Sequence, residues 1–140
     1  MDEPSGFQSA VQPYVVAALL CDQTITEAGT NRKTLVNVYD TLAAKRFPFL
    51  NTFALYVKLT DAEGTYRLRI DLANISENRM LTSLNAGEFT VPSRLIGQEL
   101  LLSIEVEVPA QGTYEFRVYA NDAFLTSIPF TAHHLGTGET

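Results

Sequence analysis

Apolar and polar residues alternate with a period of two along most of this chain. Phe53, Leu55, Val57 and Leu59 are separated by Ala54, Tyr56 and Lys58, and Tyr66, Leu68, Ile70 and Leu72 by Arg67, Arg69 and Asp71. Leu100, Leu102, Ile104, Val106 and Val108 alternate with Ser103, Glu105 and Glu107, and Tyr114, Phe116 and Val118 with Glu115 and Arg117. Side chains of a strand point alternately to its two faces, so each segment predicts a strand with one dry and one wet face, the habit of antiparallel sheets. Tyr14 to Cys21 is a nearly continuous apolar run that Thr24-Ile25-Thr26 extends, and Leu35 to Tyr39 returns after a turn at Ala28 to Asn31. Thr41 to Leu50 is expected to cross between sheets, with at most one helical turn, and Met80–Leu84 and Glu88–Val91 to be short strands around Asn85-Ala86-Gly87.

The turn residues suggest how these strands join. Asp61-Ala62-Glu63-Gly64 is expected to close a hairpin pairing Leu59 with Tyr66, and Ala110-Gln111-Gly112 one pairing Val108 with Tyr114, each ending on a glycine. The repeated Gly-Thr-Tyr at 64–66 and 112–114 then reads as shared hairpin chemistry. Many short strands with such turns predict an all-β fold, an antiparallel two-sheet β-sandwich of the immunoglobulin-like or C2-like kind, with a closed β-barrel as the alternative. Residues 13–132 form its single domain, 1–12 and 133–140 being flexible ends. The expected core is Leu55, Val57, Leu59, Leu68, Ile70, Leu102, Ile104, Val106, Phe116 and Val118, and helix should account for less than about a tenth of the chain, against the usual third.

Val16-Ala17-Ala18-Leu19-Leu20-Cys21-Asp22, the return Leu35 to Asp40, Phe47-Pro48, Leu55 to Leu59 and the stretch from Gly112-Thr113-Tyr114 to Ile128-Pro129-Phe130 carry a further signal. Over roughly residues 14 to 131 the chain resembles a group of short bacterial all-β proteins known only as a domain of unknown function. The matching residues are core and turn positions, so the resemblance implies a bacterial β-sandwich and brings no catalytic residue, ligand or partner. Asn37 stands where the resemblance leads one to expect glycine.

Composition narrows the classes of function. With 46% hydrophobic and 19% charged residues among 140, the chain is an ordinary globular one. A net charge of −6 argues against nucleic acid, whose phosphates are bound by clustered Lys and Arg. No apolar run approaches the length of a membrane span, and the stretch before Cys21 lacks the basic flank of an export signal. One cysteine and no export signal point to the cytoplasm; Cys21 itself reads as a buried strand-end thiol.

Candidate chemistry is sparse. His133 and His134, the two histidines, fall in the expected tail, too far from any nucleophile or further ligand to make a catalytic or zinc site. Asp22, Asp40, Asp61 and Asp122 fall near strand ends, where cation ligands and ordinary turn residues both occur, without Asp-x-Asp spacing. Glu105 and Glu107 share a face and, with Glu115 and Arg117 on the next strand, read as a cross-strand salt-bridge surface sooner than an acid pair. Arg67, Arg69 and Arg79 with Tyr56 make only a thin basic stripe. No catalytic, cofactor or metal-binding residue is assigned, and no cofactor is expected.

The last hairpin offers one surface. A two-residue turn at Asn121-Asp122 pairs Tyr119 with Phe124 on the wet face, with Ile128 joining them; a three-residue turn would bury that set instead. The two-residue turn is the preferred reading. It yields an exposed patch at Tyr119, Phe124 and Ile128, suited to a protein partner or to self-association. The function expected is thus a non-enzymatic interaction or structural module, with a small-ligand, metal-binding or carboxylate-based catalytic protein as the alternative.

Overall fold

The structure, a computed structural model, describes residues 10–136; of the expected flexible ends 1–12 and 133–140, the parts 1–9 and 137–140 lie outside the described residues. Nine strands follow in order: β1 Tyr14–Thr26, β2 Lys33–Val38, β3 Thr41–Ala44, β4 Phe49–Thr60, β5 Gly64–Asn74, β6 Arg79–Val91, β7 Gln98–Val108, β8 Gly112–Ala120 and β9 Ala123–His134. No helix occurs among the described residues. The strands form a four-stranded sheet, β2-β1-β4-β7, and a five-stranded sheet, β3-β9-β8-β5-β6. Neither sheet closes on itself, so the fold is a sandwich and the barrel alternative falls. Every pairing is antiparallel except β3 with β9, where the expected crossover becomes a short parallel strand.

The dry faces meet as the alternation requires. Leu55, Val57 and Leu59 from β4 are buried together with Leu68, Ile70 and Leu72 from β5 and Phe116 and Val118 from β8. Phe53 anchors the centre, its ring 5.0 Å from Phe116 and 4.8 Å from Phe130. Ile104 and Val106 complete the β7 contribution, whereas Leu102 is only partly buried.

The sheet assignment corrects two expected hairpins. β4 and β5 lie in different sheets, as do β7 and β8, so Leu59 does not pair with Tyr66, nor Val108 with Tyr114. Both connections are corners between sheets, and the repeated Gly-Thr-Tyr is corner chemistry. At the first corner the Tyr66 hydroxyl donates to the carbonyls of Glu63 and Val11 and accepts from the Glu63 amide. At the second the Tyr114 hydroxyl donates to the carbonyl of Ala110 and accepts from its amide. A buried phenol thus satisfies backbone groups three or four residues upstream, the arrangement of a tyrosine corner. Gly64 serves the first corner further, since a Cβ there would lie 2.7 Å from Cα of Ala10. Ala10 and Val11, expected to be loose, are therefore docked, and Val11 bridges to Glu63.

β6 is one long strand where two short ones were expected. Two bulges bend it, at Leu81 and at Ala86-Gly87, and Gly87 takes a positive φ of 94° there.

The β1–β2 hairpin bends away from its own sheet. β1 pairs with β4 from Tyr14 to Cys21 and with β2 from Cys21 to Thr26. Cys21 sits beside Ala54, and Lys33 pairs with Thr26 at the far end of the hairpin. A straight β1 would put Lys33 roughly 30 Å from Glu99, at ~3.3 Å per residue. Instead Lys33 Nζ is 3.3 Å from Glu99 Oε1, so the hairpin folds back over the outer face of the four-stranded sheet as an arm. The bend lies at Asp22 and Asn37: Asn37 has a φ of 54°, and its side-chain amide donates to Asp22 at 2.9 Å. Asparagine is the usual substitute for glycine in that conformation, which accounts for the residue at this position.

Candidate functional site

The outer face of the five-stranded sheet carries one aromatic and charged cluster. It is built on the final turn, where Asn121 and Asp122 both take positive φ, 51° and 66°, as a primed two-residue turn demands. The Asn121 side chain fastens that turn to β5, accepting from the Arg67 amide at 2.8 Å and donating to the Thr65 carbonyl at 3.1 Å. Tyr119 pairs with Phe124, their rings edge to face at 5.7 Å. The Arg69 guanidinium lies 4.1 Å from the centre of the Tyr119 ring and bonds Asp71 at 3.2 Å and Asp122 at 2.9 Å. Desolvation works against the Arg69 charge, but the two carboxylates outweigh it and move its pKa up. Asp71, buried on this wet face, also accepts from the Ser83 hydroxyl at 2.6 Å. Phe124 is left 53% exposed on this braced platform.

Ile128 does not belong to that patch. The register shifts between Val118 and Tyr119, so Leu125 is an extra residue and Val118 pairs with Thr126. One inserted residue turns everything beyond it to the other face. Ile128 and Phe130 consequently point inward and are buried. The sequence carried the signal: Ile128, Phe130 and Ala132 alternate with polar Ser127, Thr131 and His133, a pattern that needs an inward face whatever Phe124 does.

The remaining candidates are dispersed. Asp22 is held by Asn37, Asp40 accepts from Thr41, Asp61 lies 3.9 Å from Arg94 and Asp122 serves Arg69. Among the described residues no three His, Cys, Asp or Glu side chains are grouped to hold a metal. Glu115 pairs with Arg117 at 2.6 Å on β8, whereas Glu105 and Glu107 stand on β7 in the other sheet, so the expected four-residue salt-bridge surface does not form. Tyr56 lies in the four-stranded sheet, away from Arg67 and Arg69 in β5, and Arg79 pairs with Glu77, which breaks up the basic stripe. His133 and His134 are strand residues, paired in register with Ala43 and Ala44, not part of a loose tail. Cys21 is buried, as expected, and burial pushes its thiol pKa up, so it is a poor thiolate.

Sequence reasoning missed the cluster under the arm. Tyr56, Glu99 and Lys33 are far apart in the chain, and the fold-back brings them together. The Tyr56 hydroxyl donates to Glu99 at 2.5 Å, and Lys33 approaches the other carboxylate oxygen. Burial, together with the adjacent carboxylate, pushes the Tyr56 phenol up to about 12. The phenol's hydrogen bond and the Lys33 ammonium hold the Glu99 carboxyl below its usual range, against the opposing effect of burial. These contacts join the arm to β4 and β7 of the four-stranded sheet.

Comparison with known proteins agrees with a fold whose chemistry is unassigned. Residues 16–133 match the model of DUF6941, a family of unknown function, and the chain belongs to that family. No curated protein sequence matches the chain. Among solved structures, the chain is similar to Pseudomonas fluorescens alkylpurine DNA glycosylase AlkC bound to DNA containing an abasic site analog, with a TM-score of 0.52 and 12% identity. The similarity covers 66% of this chain and 27% of the glycosylase chain, so the match spans about a quarter of that enzyme. At this identity the likeness speaks to fold alone. No described helix is long and apolar enough to cross a membrane.

Proposed function

We propose that this member of the DUF6941 family is a non-enzymatic interaction module that presents the outer face of its five-stranded sheet to a protein partner. The supporting observation is the exposed Phe124, held edge-on against Tyr119 while Arg69 stacks on that ring and is itself fixed by Asp71 and Asp122. Arginine and aromatic side chains dominate the energetic centres of protein interfaces, and a side chain already fixed in place loses little entropy on binding.

Replacing Phe124 with Glu tests the reading. The purified variant should remain folded, with a melting temperature close to that of the parent, and should lose a partner that the parent retains in a pull-down from its native host, or lose self-association in sedimentation velocity. An unfolded variant would return Phe124 to the core. A folded variant with undiminished association would move the interface elsewhere.

A further inference from the structure

The two sheets are unequal in width. β4 lies across β8 and β9, as its Phe53 ring contacts show, and β7 reaches as far as Leu72 of β5. β6 and β7 are the edge strands of their sheets on this side, and the two border the same space between the sheets. A cleft of about 400 Å³ results, lined by Leu72 of β5, by Leu81 and Leu84 of β6, and by Glu105, Val106 and Glu107 of β7. Leu81 and Leu84 of β6 are only half-buried, while Ile70 and Leu72 in β5 are fully buried.

The sheet edges differ in how well they are protected. β3 has four residues, β2 belongs to the bent arm, and β6 is interrupted by two bulges. Short edges and bulges are the usual means of blunting a strand against further pairing. β7 has neither: its eleven residues pair with β4 from Gln98 to Val108 without a register shift, and it contains no proline or lysine. Alternate residues of such a strand direct their amide and carbonyl groups outward. Beside that edge, Glu105 and Glu107 project from the outer face with no cation paired to either among the described residues.

We propose that the β7 edge is a second binding site, which accepts an extended segment of a partner protein as an added strand in which basic and large apolar residues alternate. In register with β7, the basic residues meet Glu105 and Glu107 on the outer face. The apolar ones, in line with Ile104 and Val106, turn inward and cover Leu81 and Leu84. Backbone hydrogen bonds hold the segment and the alternating side chains select it. The two glutamates also disfavour pairing of β7 with β7 of a second copy, because like charges opposed across strands destabilise a pair. Arg79 on the far rim of the cleft is engaged with Glu77.

A fluorescein-labelled ten-residue peptide alternating lysine and valine is the probe, titrated against the full chain by anisotropy, with an otherwise equal glutamate–valine peptide as control. The lysine peptide should bind, and hydrogen exchange should slow within 98–108. The double variant Glu105→Lys, Glu107→Lys, both side chains being exposed, should weaken binding at least about tenfold, as reversal of close charge pairs across an interface does. It should also bring the glutamate peptide to comparable affinity. Equal binding of both peptides by the parent, protection outside 98–108, or affinity unchanged by the double variant would each overturn the proposal. Dimerisation of the parent through the same amides would also overturn it, by putting a second copy in place of the partner strand.

Discussion

The two outer faces of the sandwich have been given opposite fates. On the four-stranded sheet the arm covers part of the surface, and Tyr56, a residue on the wet side of a strand, is left only 8% exposed beneath it, while Leu50 on the same face stays in water. On the five-stranded sheet Tyr119 is half-buried beneath the Arg69 guanidinium of its own sheet, and its neighbour Phe124 faces water. Both tyrosines engage a charged residue, Glu99 in one case and Arg69 in the other. A tyrosine in a strand is therefore no guide to its role: what matters is whether another segment returns to cover it. Tyr56 is covered by a returning segment, whereas Tyr119 is bordered by Arg69 and Phe124 of its own sheet.

That contrast can be broken most severely at Tyr56. Tyr56→Ala removes a ring packed under the arm and leaves Glu99 without its donor, and should cost about 3 kcal/mol or more in urea denaturation, as large-to-small changes of buried aromatics do. Tyr119→Ala, the matching change on the five-stranded sheet, should cost less than about 1 kcal/mol. Comparable losses at both sites would remove the distinction.

The pH dependence should separate the faces next. The Glu99 carboxyl titrates lower in the folded chain than in the unfolded one, so its contribution is complete above the unfolded value of about 4.3 and disappears as pH falls through the lower folded value. Tyr56 acts in the alkaline range: its phenol is raised to about 12, so stability falls as pH climbs from about 10 towards that value. Glu99→Gln should abolish the acid-side loss at this site and cost about 1 kcal/mol at neutral pH, a moderate figure because the pair is partly exposed. Amide exchange should show acid loosening first in residues 22–38, the arm, and later in β8 and β9.

A smaller effect is expected at the bend. Asn37→Ala combines a disfavoured positive φ with loss of the bond to Asp22, and should cost about 1 kcal/mol. Asn37→Gly keeps the conformation, loses only the bond, and should cost a few tenths of a kcal/mol. If the alanine and glycine variants are equally stable, backbone strain is not what the position has to manage.

Most strands were legible in the sequence because alternation is a local signal. The period-two runs that become β4, β5, β7 and β8 are plain in the residues, and so are the positive-φ turn at Asn121-Asp122 and the burial of Cys21. The sheet to which each strand belongs was not legible, for a physical reason. A hairpin in one sheet and a corner between two sheets both send Leu59 and Tyr66 to the same interior, so alternation cannot distinguish them. The Tyr119–Phe124 pair could be read from the turn, but Ile128 could not be placed with the same rule, because a single bulge at Leu125 reverses the parity beyond it. The arm was beyond reach altogether. Asp22 and Asn37 mark a break in the apolar pattern, but the direction of the bend is set by Glu99 and Tyr56, distant in the sequence.

The parallel pairing of β3 with β9 bears on how the chain is made. Thr41–Ala44 leaves the ribosome well before its strand partner Thr131–His134, which lies ninety residues later. β4 similarly precedes β7, and the second sheet gains its β8 and β9 only after β7 has been made. A nascent chain that has emerged only as far as β7 thus carries unpaired strand edges, and Thr131–His134 of β9 give β3 its partner. Chains halted before Thr131 would leave β3 without a partner, the kind of species that chaperones retain and proteases clear.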